Sequence, residues 1–333
     1  MDFVILWVDD KDPKWREEYE KYSLLEEGEK RVCRFRDWEN LHYWFRGVEK
    51  FAPWVDRVFL ITAGQVPSWL NTNHPKLRLV FHEEYIPKEL LPTFCSGTIE
   101  LFLHKIPDLS EHFVLFNDDF FIINKIKPER FFIKGLPVDM SAMNVPVSDG
   151  EYFTSAYHLS ILNRHFNKSE VFRKDLFNWF NIYNGKHLVR TLLLCWWPRF
   201  VGFYDHHLPQ PFLKSIFKEV WAVENDKMIK SVTPRFRQGD NITQYLFRYW
   251  QLASARFICR NVYADATVFH QTSLNEREID NAVKIIRKQK KNIVVINDSI
   301  SAEFNFENSR QKINDAFESI LPEKSSFEKP LKL

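Results

Sequence analysis

Short apolar runs of strand length alternate with amphipathic stretches of helix length through residues 1–135. The apolar runs predict buried strands at residues 3–8, 57–62, 77–81 and 113–116. The stretches of helix length predict helices at residues 14–27, 37–51 and 96–106. The first of them is charged on most faces, and Asp37 is placed to cap the second. Because strands and helices alternate, we expect a mostly parallel, Rossmann-like α/β sheet flanked by helices, which forms a nucleotide-binding half of the chain.

The rest of the chain changes character at residue 136. Residues 136–265 are richer in helical patterns and aromatic residues, and we expect a helix-rich aromatic insertion that holds acceptor and catalytic groups. Residues 266–333 predict a charged helix, a strand at 292–296 and a closing helix at 304–321, which complete the catalytic core. No stretch approaches the roughly 18 to 20 consecutive apolar residues of a membrane span. The acidic start of the chain argues against a signal peptide.

Carboxylates follow three of the predicted strands. They are Asp9 and Asp10 after the first strand, Asp118 and Asp119 after the strand at 113–116, and Asp298 after the strand at 292–296. Ionised Asp is rarely buried unless it is paired or binds a cation, and open α/β sheets bind ligands at the carboxyl ends of their strands. If the three strands lie side by side in one sheet, their carboxylates converge and offer oxygen ligands to a metal–nucleotide complex. Ordinary Asx-type turns are the alternative.

Composition limits the classes of function. A chain of 333 residues with 45% hydrophobic and 27% charged residues can bury a substantial core and is typical of a globular protein. A net charge of +2 without a basic stripe argues against nucleic acid as a partner. The four cysteines are widely spaced, at Cys33, Cys95, Cys195 and Cys259. This spacing predicts reduced thiols in a cytosolic protein, without a zinc site or disulfides. No G-x-G-x-x-G or P-loop motif is present, so a metal and basic side chains would have to hold phosphates.

Two polar clusters in the helix-rich part are candidates for chemistry. His206 and His207 follow Asp205 and precede a turn that contains Pro209. Histidine titrates near neutral pH and suits catalysis, although a single His is more often structural. The second cluster is the Arg235–Arg237 segment, whose two arginines share a face if the backbone is extended and are then able to fork onto a phosphate. A solvated loop is the alternative interpretation of this segment.

Four blocks of the sequence resemble the Stealth family, the sugar-phosphate transferases that include bacterial capsular polysaccharide phosphotransferases and the animal N-acetylglucosamine-1-phosphotransferase. The blocks span residues 4–13, 36–119, 206–237 and 295–328. The second block is the longest and most specific, and it includes Phe51-Ala-Pro-Trp-Val55 and Thr62-Ala-Gly-Gln-Val-Pro-Ser-Trp-Leu-Asn71. In it, Ala63 replaces the Asn that usually precedes the Gly-Gln pair.

The resemblance implies a GT-A-like form of the Rossmann-like fold and a phosphotransferase activity. Such an enzyme moves a sugar 1-phosphate, from a hexose or N-acetylhexosamine UDP-sugar, to a hydroxyl of a growing capsule or exopolysaccharide. It forms a phosphodiester and releases UMP. Because the acceptor oxygen attacks the β-phosphorus, catalysis rests on in-line positioning and on neutralising the charge of phosphoryl oxygens.

The resemblance also implies roles for individual residues. Asp119 and Asp298 are expected to bind Mg²⁺ or Mn²⁺, with Asp118 in or beside the coordination shell. His207 is expected to act as general base on the acceptor hydroxyl. Arg237 is expected to hold the phosphoryl oxygens.

Further residues are expected to shape the site for the UDP-sugar. The first strand contributes Asp9 and Asp10, and the loop after the second predicted strand contributes Gly64 and Gln65. Arg235 is the alternative to its neighbour as the phosphate-binding arginine.

Two other functions stay open at this point. A metal-dependent glycosyltransferase would use the same Asp pair but release UDP. An inactive glycan-binding protein would instead recognise a polysaccharide through an aromatic surface, although the 31 Phe, 11 Trp and 11 Tyr are expected mainly in the core. For an enzyme, we expect a cytoplasmic location, with peripheral association at the inner face of the membrane as an option.

Overall fold

A five-stranded sheet forms the centre of the protein, seen in a computed structural model that describes residues 1–30, 35–146, 154–270, 274–298 and 305–330. In spatial order, its strands are β3 (Leu77–Phe81), β2 (Val58–Thr62), β1 (Asp2–Leu6), β4 (His112–Phe116) and β8 (Gln210–Leu213). The first four are parallel and only β8 is antiparallel to its neighbour. The mostly parallel α/β sheet predicted from the alternating pattern is therefore confirmed.

The C-terminal strand lies in a second sheet and not in the central one. It consists of β10 (Ala266–Phe269), β11 (Ile293–Ile296) and β5 (Phe120–Ile122), in that order. The three acid-tipped strands therefore do not lie side by side in one sheet, which was the condition under which we expected their carboxylates to converge. The reason is that the chain turns sharply after β4, at Asn117, and β5 leaves the central sheet to pair antiparallel with β11. A third small sheet combines β6 (Phe132–Ile133), β7 (Leu136–Asp139) and β9 (Ile258–Cys259).

Helices cover the sheets, and their starts follow local capping chemistry. Helix α1 (Pro13–Ser23) begins with Pro at its first position, and the Asp12 carboxylate accepts a hydrogen bond from Trp15 N at 2.8 Å. The predicted cap of the next helix is wrong, because α2 (Leu41–Phe51) begins four residues after Asp37. Glu39 has a φ of 55°, which is incompatible with a right-handed helix, and Asp37 instead accepts from Glu39 N in a local turn.

The remaining helices fall into a helix-rich middle and a C-terminal pair. They are α3 (Ser96–Leu101), α4 (Thr154–His165), α5 (Lys168–Lys174), α6 (Leu176–Trp179), α7 (His187–Leu194), α8 (Lys214–Val232), α9 (Tyr245–Ala253), α10 (Glu276–Lys288) and α11 (Phe306–Ile320). No helix of the described residues is long and apolar enough to cross a membrane. Of the four cysteines, three are described and carry free thiols, and Cys33 lies outside the described residues.

The C-terminal segment is tied to helix α2 and does not form a separate core. Tyr43 stacks on Phe317 with ring centroids 5.7 Å apart. Arg46 binds both carboxylate oxygens of Glu328, at 2.7 and 3.0 Å, and donates a third hydrogen bond to Leu321 O. Residues from all three predicted portions share one hydrophobic cluster, and the division of the chain at residues 135 and 265 stays a prediction.

Candidate active site

A cavity of about 400 Å³ opens where the carboxyl ends of β1, β2, β4 and β11 meet. Residues that directly follow these strands line it, as ligand sites of open α/β sheets require. They are Trp7, Val8, Ala63, Asn117, Asp118, Asp119, Asn297 and Asp298. Two of the three acid-tipped strands therefore contribute their predicted carboxylates to this cavity.

Asp298 lies at the cavity together with Asp118 and Asp119 because of a strand pairing that the sequence does not show. The chain reverses between β4 and β5, where Phe120 N donates to Asn117 O at 3.2 Å. Strand β5 then pairs with β11, and Ile296 N donates to Asp119 O at 3.0 Å. This pairing places the end of β11 beside the Asp118–Asp119 turn, although β11 belongs to the other sheet.

The pKa of Asp118 is raised by its position in this carboxylate cluster. Its side chain is exposed to the cavity, but the surrounding protein atoms displace much of the bulk water. This desolvation, followed by the negative charges of Asp119 and Asp37, raises the pKa of Asp118 to about 7. A carboxyl group that resists ionisation because of its neighbours marks a place where a cation is electrostatically favoured.

Asp119 forms a carboxylate–imidazole pair with His207 in the cavity. Asp119 Oδ2 lies 3.0 Å from His207 Nε2, and Asn297 Nδ2 lies 3.3 Å from the same nitrogen. The ring of Phe120 meets the imidazole edge-to-face at 4.8 Å. Burial alone would lower the pKa of His207, but the charge and hydrogen bond of Asp119 outweigh it and raise that pKa. The hydrogen bond thus fixes the orientation of the imidazole, and the same carboxylate favours its protonated form.

The neighbouring histidine, His206, has a different environment. It is fully buried, and its Nε2 lies 3.0 Å from Asp139 Oδ1. Arg248 also binds both oxygens of Asp139, at 2.8 and 3.0 Å, and reaches Asp205 at 2.9 Å. Burial and the Arg248 charge lower the pKa of His206. Only the second histidine of the pair therefore faces the cavity, and the first belongs to a buried ion network.

Removing Asp139 is expected to destabilise the protein strongly. Asp139→Ala leaves Arg248 buried without its principal partner, and we expect a loss of about 3 to 5 kcal/mol in the free energy of unfolding. Burial opposes ionisation of Asp139, but Arg248 and His206 hold its pKa well below the ordinary range. The wild-type contribution is therefore complete above about pH 4 and is lost as the pH falls toward the depressed folded-state value.

Urea unfolding followed by circular dichroism, at neutral pH and in acid, measures this effect. Asp280→Ala is the matched control, since it removes an aspartate from an exposed pair with Lys312 and should leave the unfolding midpoint unchanged. Equal midpoints for Asp139→Ala and the wild type would show that the network contributes little.

Two arginines border the cavity, and only one of them was expected. Arg36 binds Asp298 through two hydrogen bonds of 2.7 and 2.6 Å and lies 4.0 Å over the ring of Phe306. Sequence reasoning missed its role, because its partner lies 262 positions away. The one available signal was its place at the start of the longest family-like block. Arg237 also lines the cavity, and its buried Nε has no hydrogen-bond partner within the described residues.

Arg235, the predicted alternative, lies away from the cavity lining. Its Nη1 binds Glu26 at 2.8 Å, and its guanidinium lies 4.5 Å over the ring of Tyr22. The two arginines of this segment therefore point to different surroundings, and only Arg237 is placed to meet a ligand in the cavity.

The four residues predicted to shape the nucleotide site, Asp9, Asp10, Gly64 and Gln65, lie outside the cavity lining. The Gln65 side chain accepts from Asp9 N at 3.0 Å and donates to Asp9 O at 2.7 Å. Gly64 occupies an exposed turn with a φ of +94°, which favours glycine. Asp10 has a pKa raised by burial and by Asp9, and one of its oxygens is buried without a partner among the described residues. None of the four lines the cavity, but Gln65 ties the loop after β2 to the loop after β1.

A divalent cation is the implied cofactor, and among the carboxylates at the cavity the pair Asp118 and Asp119 fits it best. Both oxygens of Asp298 bind Arg36, and the described residues contain no group of three or more His, Cys, Asp or Glu arranged to hold a metal ion. Mg²⁺ does not need such a group, because it usually keeps several waters and takes one or two carboxylates together with substrate phosphates. The raised pKa of Asp118 supports a cation at Asp118 and Asp119, more than at the predicted pair of Asp119 and Asp298.

Comparisons with known proteins agree with the resemblance drawn from the sequence. Residues 34–138 match the family model described as Stealth protein CR2, conserved region 2, and residues 1–25 match Stealth protein CR1, conserved region 1. A capsular polysaccharide phosphotransferase, WcwK of Streptococcus pneumoniae, is 40% identical, and the alignment covers 99% of this chain and 98% of the relative. The exopolysaccharide phosphotransferase cps2G of Lactiplantibacillus plantarum is 39% identical, with 99% and 96% covered.

One further relative and one solved structure also match. The receptor polysaccharide phosphotransferase WefC of Streptococcus gordonii is 37% identical over 98% of both chains. Among solved structures, the galactosyltransferase LgtC aligns with 95% of this chain and 96% of its own, at 9% identity and a TM-score of 0.39.

Proposed function

The chain belongs to the Stealth family, and from this premise we propose that it transfers a sugar 1-phosphate from a UDP-sugar to a hydroxyl of a cell-surface polysaccharide, releasing UMP. Full-length relatives named as polysaccharide phosphotransferases support a transferase. The observation that carries the finer proposal is the Asp119–His207 pair, placed beside Asp118 in a cavity at the carboxyl ends of the strands. The predicted carboxylates and the predicted base thus occur together.

The cavity has the size and chemistry that a nucleotide-sugar needs. Its volume of about 400 Å³ lies within the range of small-molecule sites. Trp7, Trp38 and Tyr245 line it and offer flat apolar faces to a nucleobase or a sugar ring. Arg237 provides a positive group for phosphoryl oxygens without a P-loop.

The Asp119–His207 pair suggests how the acceptor hydroxyl is activated. In neutral His207, the hydrogen bond to Asp119 holds the ring proton on Nε2, so the lone pair on Nδ1 is available as a base. The acceptor O–H proton moves to Nδ1 as the oxygen forms a bond to the β-phosphorus. The bond from that phosphorus to the bridging oxygen breaks, and UMP leaves.

The other charged groups neutralise the phosphates during this displacement. Arg237 stabilises negative charge on the phosphoryl oxygens. A divalent cation at Asp118 and Asp119, when bound, supplies Lewis-acid stabilisation of the pyrophosphate oxygens. Arg36, held by Asp298 and stacked on Phe306, places a second guanidinium at the cavity.

The identity of the released nucleotide tests the proposal. Purified protein with Mg²⁺ is incubated with a panel of UDP-hexoses and UDP-N-acetylhexosamines and with bacterial capsular oligosaccharides as acceptors. We expect UMP together with a new phosphodiester, seen as a ³¹P NMR resonance in the product. Release of UDP would instead show glycosyl transfer with attack at the anomeric carbon. Tight glycan binding without any turnover across the panel would favour the glycan-binding protein.

Arg237 and Arg235 form a matched pair for testing phosphate recognition. Arg237→Ala is expected to lower kcat/KM by about 10²-fold or more, because a charged donor to the transferring group is lost. Arg235→Ala should change kcat/KM less than about tenfold, since this arginine pairs with Glu26 outside the cavity lining. Steady-state kinetics with varied donor separates the two. Comparable losses would show that the segment acts through its structure, not through one phosphate contact.

A further inference from the structure

Residues 176–199 expose an unusual density of large apolar side chains. We call this set the apolar platform, and it consists of Leu176, Phe177, Ile182, Tyr183, Val189, Leu192, Leu193, Trp196 and Trp197. The most exposed are Phe177 and Trp196, each 87% accessible. Water-soluble surfaces rarely concentrate apolar residues in this way, and such patches usually mark a docking surface.

Helix α7 presents its apolar stripe outward, opposite to the usual arrangement. Val189 and Leu193 are four residues apart and lie on one face of the helix, and Trp196 follows in the turn after the helix ends at Leu194. The opposite face holds Thr191, which is buried and accepts a hydrogen bond from Met143 N at 2.9 Å. Thr191 and Leu194 therefore face the core, while Val189 and Leu193 face solvent.

The orientation of this helix is fixed by buried contacts at its end. The ammonium group of Lys168, a residue only 2% accessible, donates to Leu194 O at 3.1 Å and to Cys195 O at 2.8 Å. These bonds satisfy carbonyls at the C-terminal end of α7 just before the two tryptophans. The outward display is therefore built into the packing of the helix.

The charged side chains within residues 176–199, the segment that carries the apolar platform, are all basic. Lys186, Arg190 and Arg199 are exposed within residues 176–199, and that stretch contains no Asp or Glu. Arg173 and Lys174 are also exposed and lie just before Asp175, whose carboxylate accepts hydrogen bonds from Asn178 at 3.0 and 2.9 Å. Exposed Trp, Phe and Leu side chains bordered by Lys and Arg are the composition of surfaces that insert into the interface of anionic bilayers.

We propose that the apolar platform docks the protein peripherally on an anionic phospholipid surface. Its rings and aliphatic side chains would enter the headgroup region, and its basic side chains would meet lipid phosphates. A second copy of the chain fits less well, because a two-fold contact through this patch brings like charges of both copies together. A glycan fits less well, because sugar rings stack on aromatic faces, whereas Leu176, Ile182 and Leu193 offer none.

This surface is separate from the cavity but continuous with it along the chain. No residue of the platform lines the cavity. The segment leaves the platform at Arg199 and reaches His207 eight positions later. The ring of His187, in helix α7, lies 4.1 Å from that of Tyr204, which precedes His207 by three positions. Because no residue of the platform lines the cavity, lipid binding and chemistry can be measured independently of each other.

Vesicle sedimentation of the full-length protein tests the docking surface. We expect binding to phosphatidylcholine vesicles containing about 30% phosphatidylglycerol, and much weaker binding to pure phosphatidylcholine. The double variant Leu193→Ser, Trp196→Ser should bind at least about tenfold more weakly. The matched control is Leu24→Ser, Leu25→Ser, which removes two leucines that are 88% and 71% exposed elsewhere and should bind like the wild type.

Charge variants and a fold check complete the experiment. Lys186→Gln with Arg190→Gln should also weaken binding to the anionic vesicles, and added salt should mimic this loss. Circular dichroism verifies that the variants are folded, and turnover of a soluble acceptor should persist in the platform variants. Their loss of lipid binding is therefore distinguishable from a failure of the proposed transferase function, which would leave lipid binding intact.

Three outcomes would overturn the docking proposal. One is that the protein does not bind the anionic vesicles, or that the platform variant and the control variant bind them equally well. Another is a concentration-dependent dimer, seen by analytical ultracentrifugation, that the platform substitutions abolish. The third is binding of a soluble capsular polysaccharide that depends on Trp196 while vesicles are not bound.

Discussion

Replacing Asp119 with Asn is expected to lower kcat by about 10³-fold or more while leaving the fold intact. The substitution keeps the shape of the side chain but removes its negative charge, so a ligand for the proposed cation is lost. It also changes the partner of His207 Nε2 from an acceptor-only carboxylate to an amide that can donate, which permits the wrong imidazole tautomer. Both effects act on the chemical step, so kcat should fall more than donor affinity.

Single-turnover kinetics with saturating donor, across a range of Mg²⁺ concentrations, measures the effect of Asp119→Asn. Asp280→Asn serves as the control, because it makes the same chemical change in an exposed residue that pairs with Lys312. Near-normal turnover of the Asp119 variant at all metal concentrations would remove this residue from the cation site and from the orientation of His207.

Replacing His207 with Ala is expected to lower kcat by about 10²- to 10⁴-fold, the usual contribution of a positioned general base. The KM for the donor should change little, because the imidazole is proposed to act on the acceptor hydroxyl. In the wild type, activity should fall at acid pH as the base becomes protonated. The acid limb of the pH profile should disappear in the variant, since no imidazole remains to titrate.

The adjacent histidine provides the contrast for this experiment. His206→Ala should lower the unfolding midpoint, because it leaves an oxygen of Asp139 without one of its buried partners. Its folded fraction should retain a wild-type pH profile. If His207→Ala changed only KM, or if His206→Ala abolished the acid limb, the general base would be wrongly assigned.

The pattern of apolar and polar positions was enough to predict the four parallel strands of the central sheet, but not its antiparallel edge strand β8. Strand β3 occupies the predicted residues Leu77–Phe81, and β2 differs from its prediction by one residue. These strands are readable because parallel strands covered on both faces must be apolar along nearly their whole length. The acidic residues after β1 and β4 were equally readable, since charge directly after a buried run is unusual in a core.

Pairing between distant segments was not predictable in the same way. Strand β11 was recognised as a strand, but its membership of the second sheet depends on its pairing with β5, about 170 positions earlier. The predicted start of α2 at Asp37 was wrong, because the backbone of Glu39 adopts a left-handed conformation that is uncommon for glutamate. In each case, local pattern identified the element and long-range contacts decided its place.

The sequence by itself determined the fold class, the family and the set of carboxylates, histidines and arginines from which a site could be built. Only the tertiary structure decided that His207 meets Asp119 while His206 is buried against Asp139, and that Arg36 holds Asp298. The physical reason is that hydrophobic pattern reports how strongly a residue prefers burial, whereas its chemistry depends on the groups that folding brings within about 3 Å. The outward apolar face of α7 shows the same limit, because its pattern alone would have predicted core.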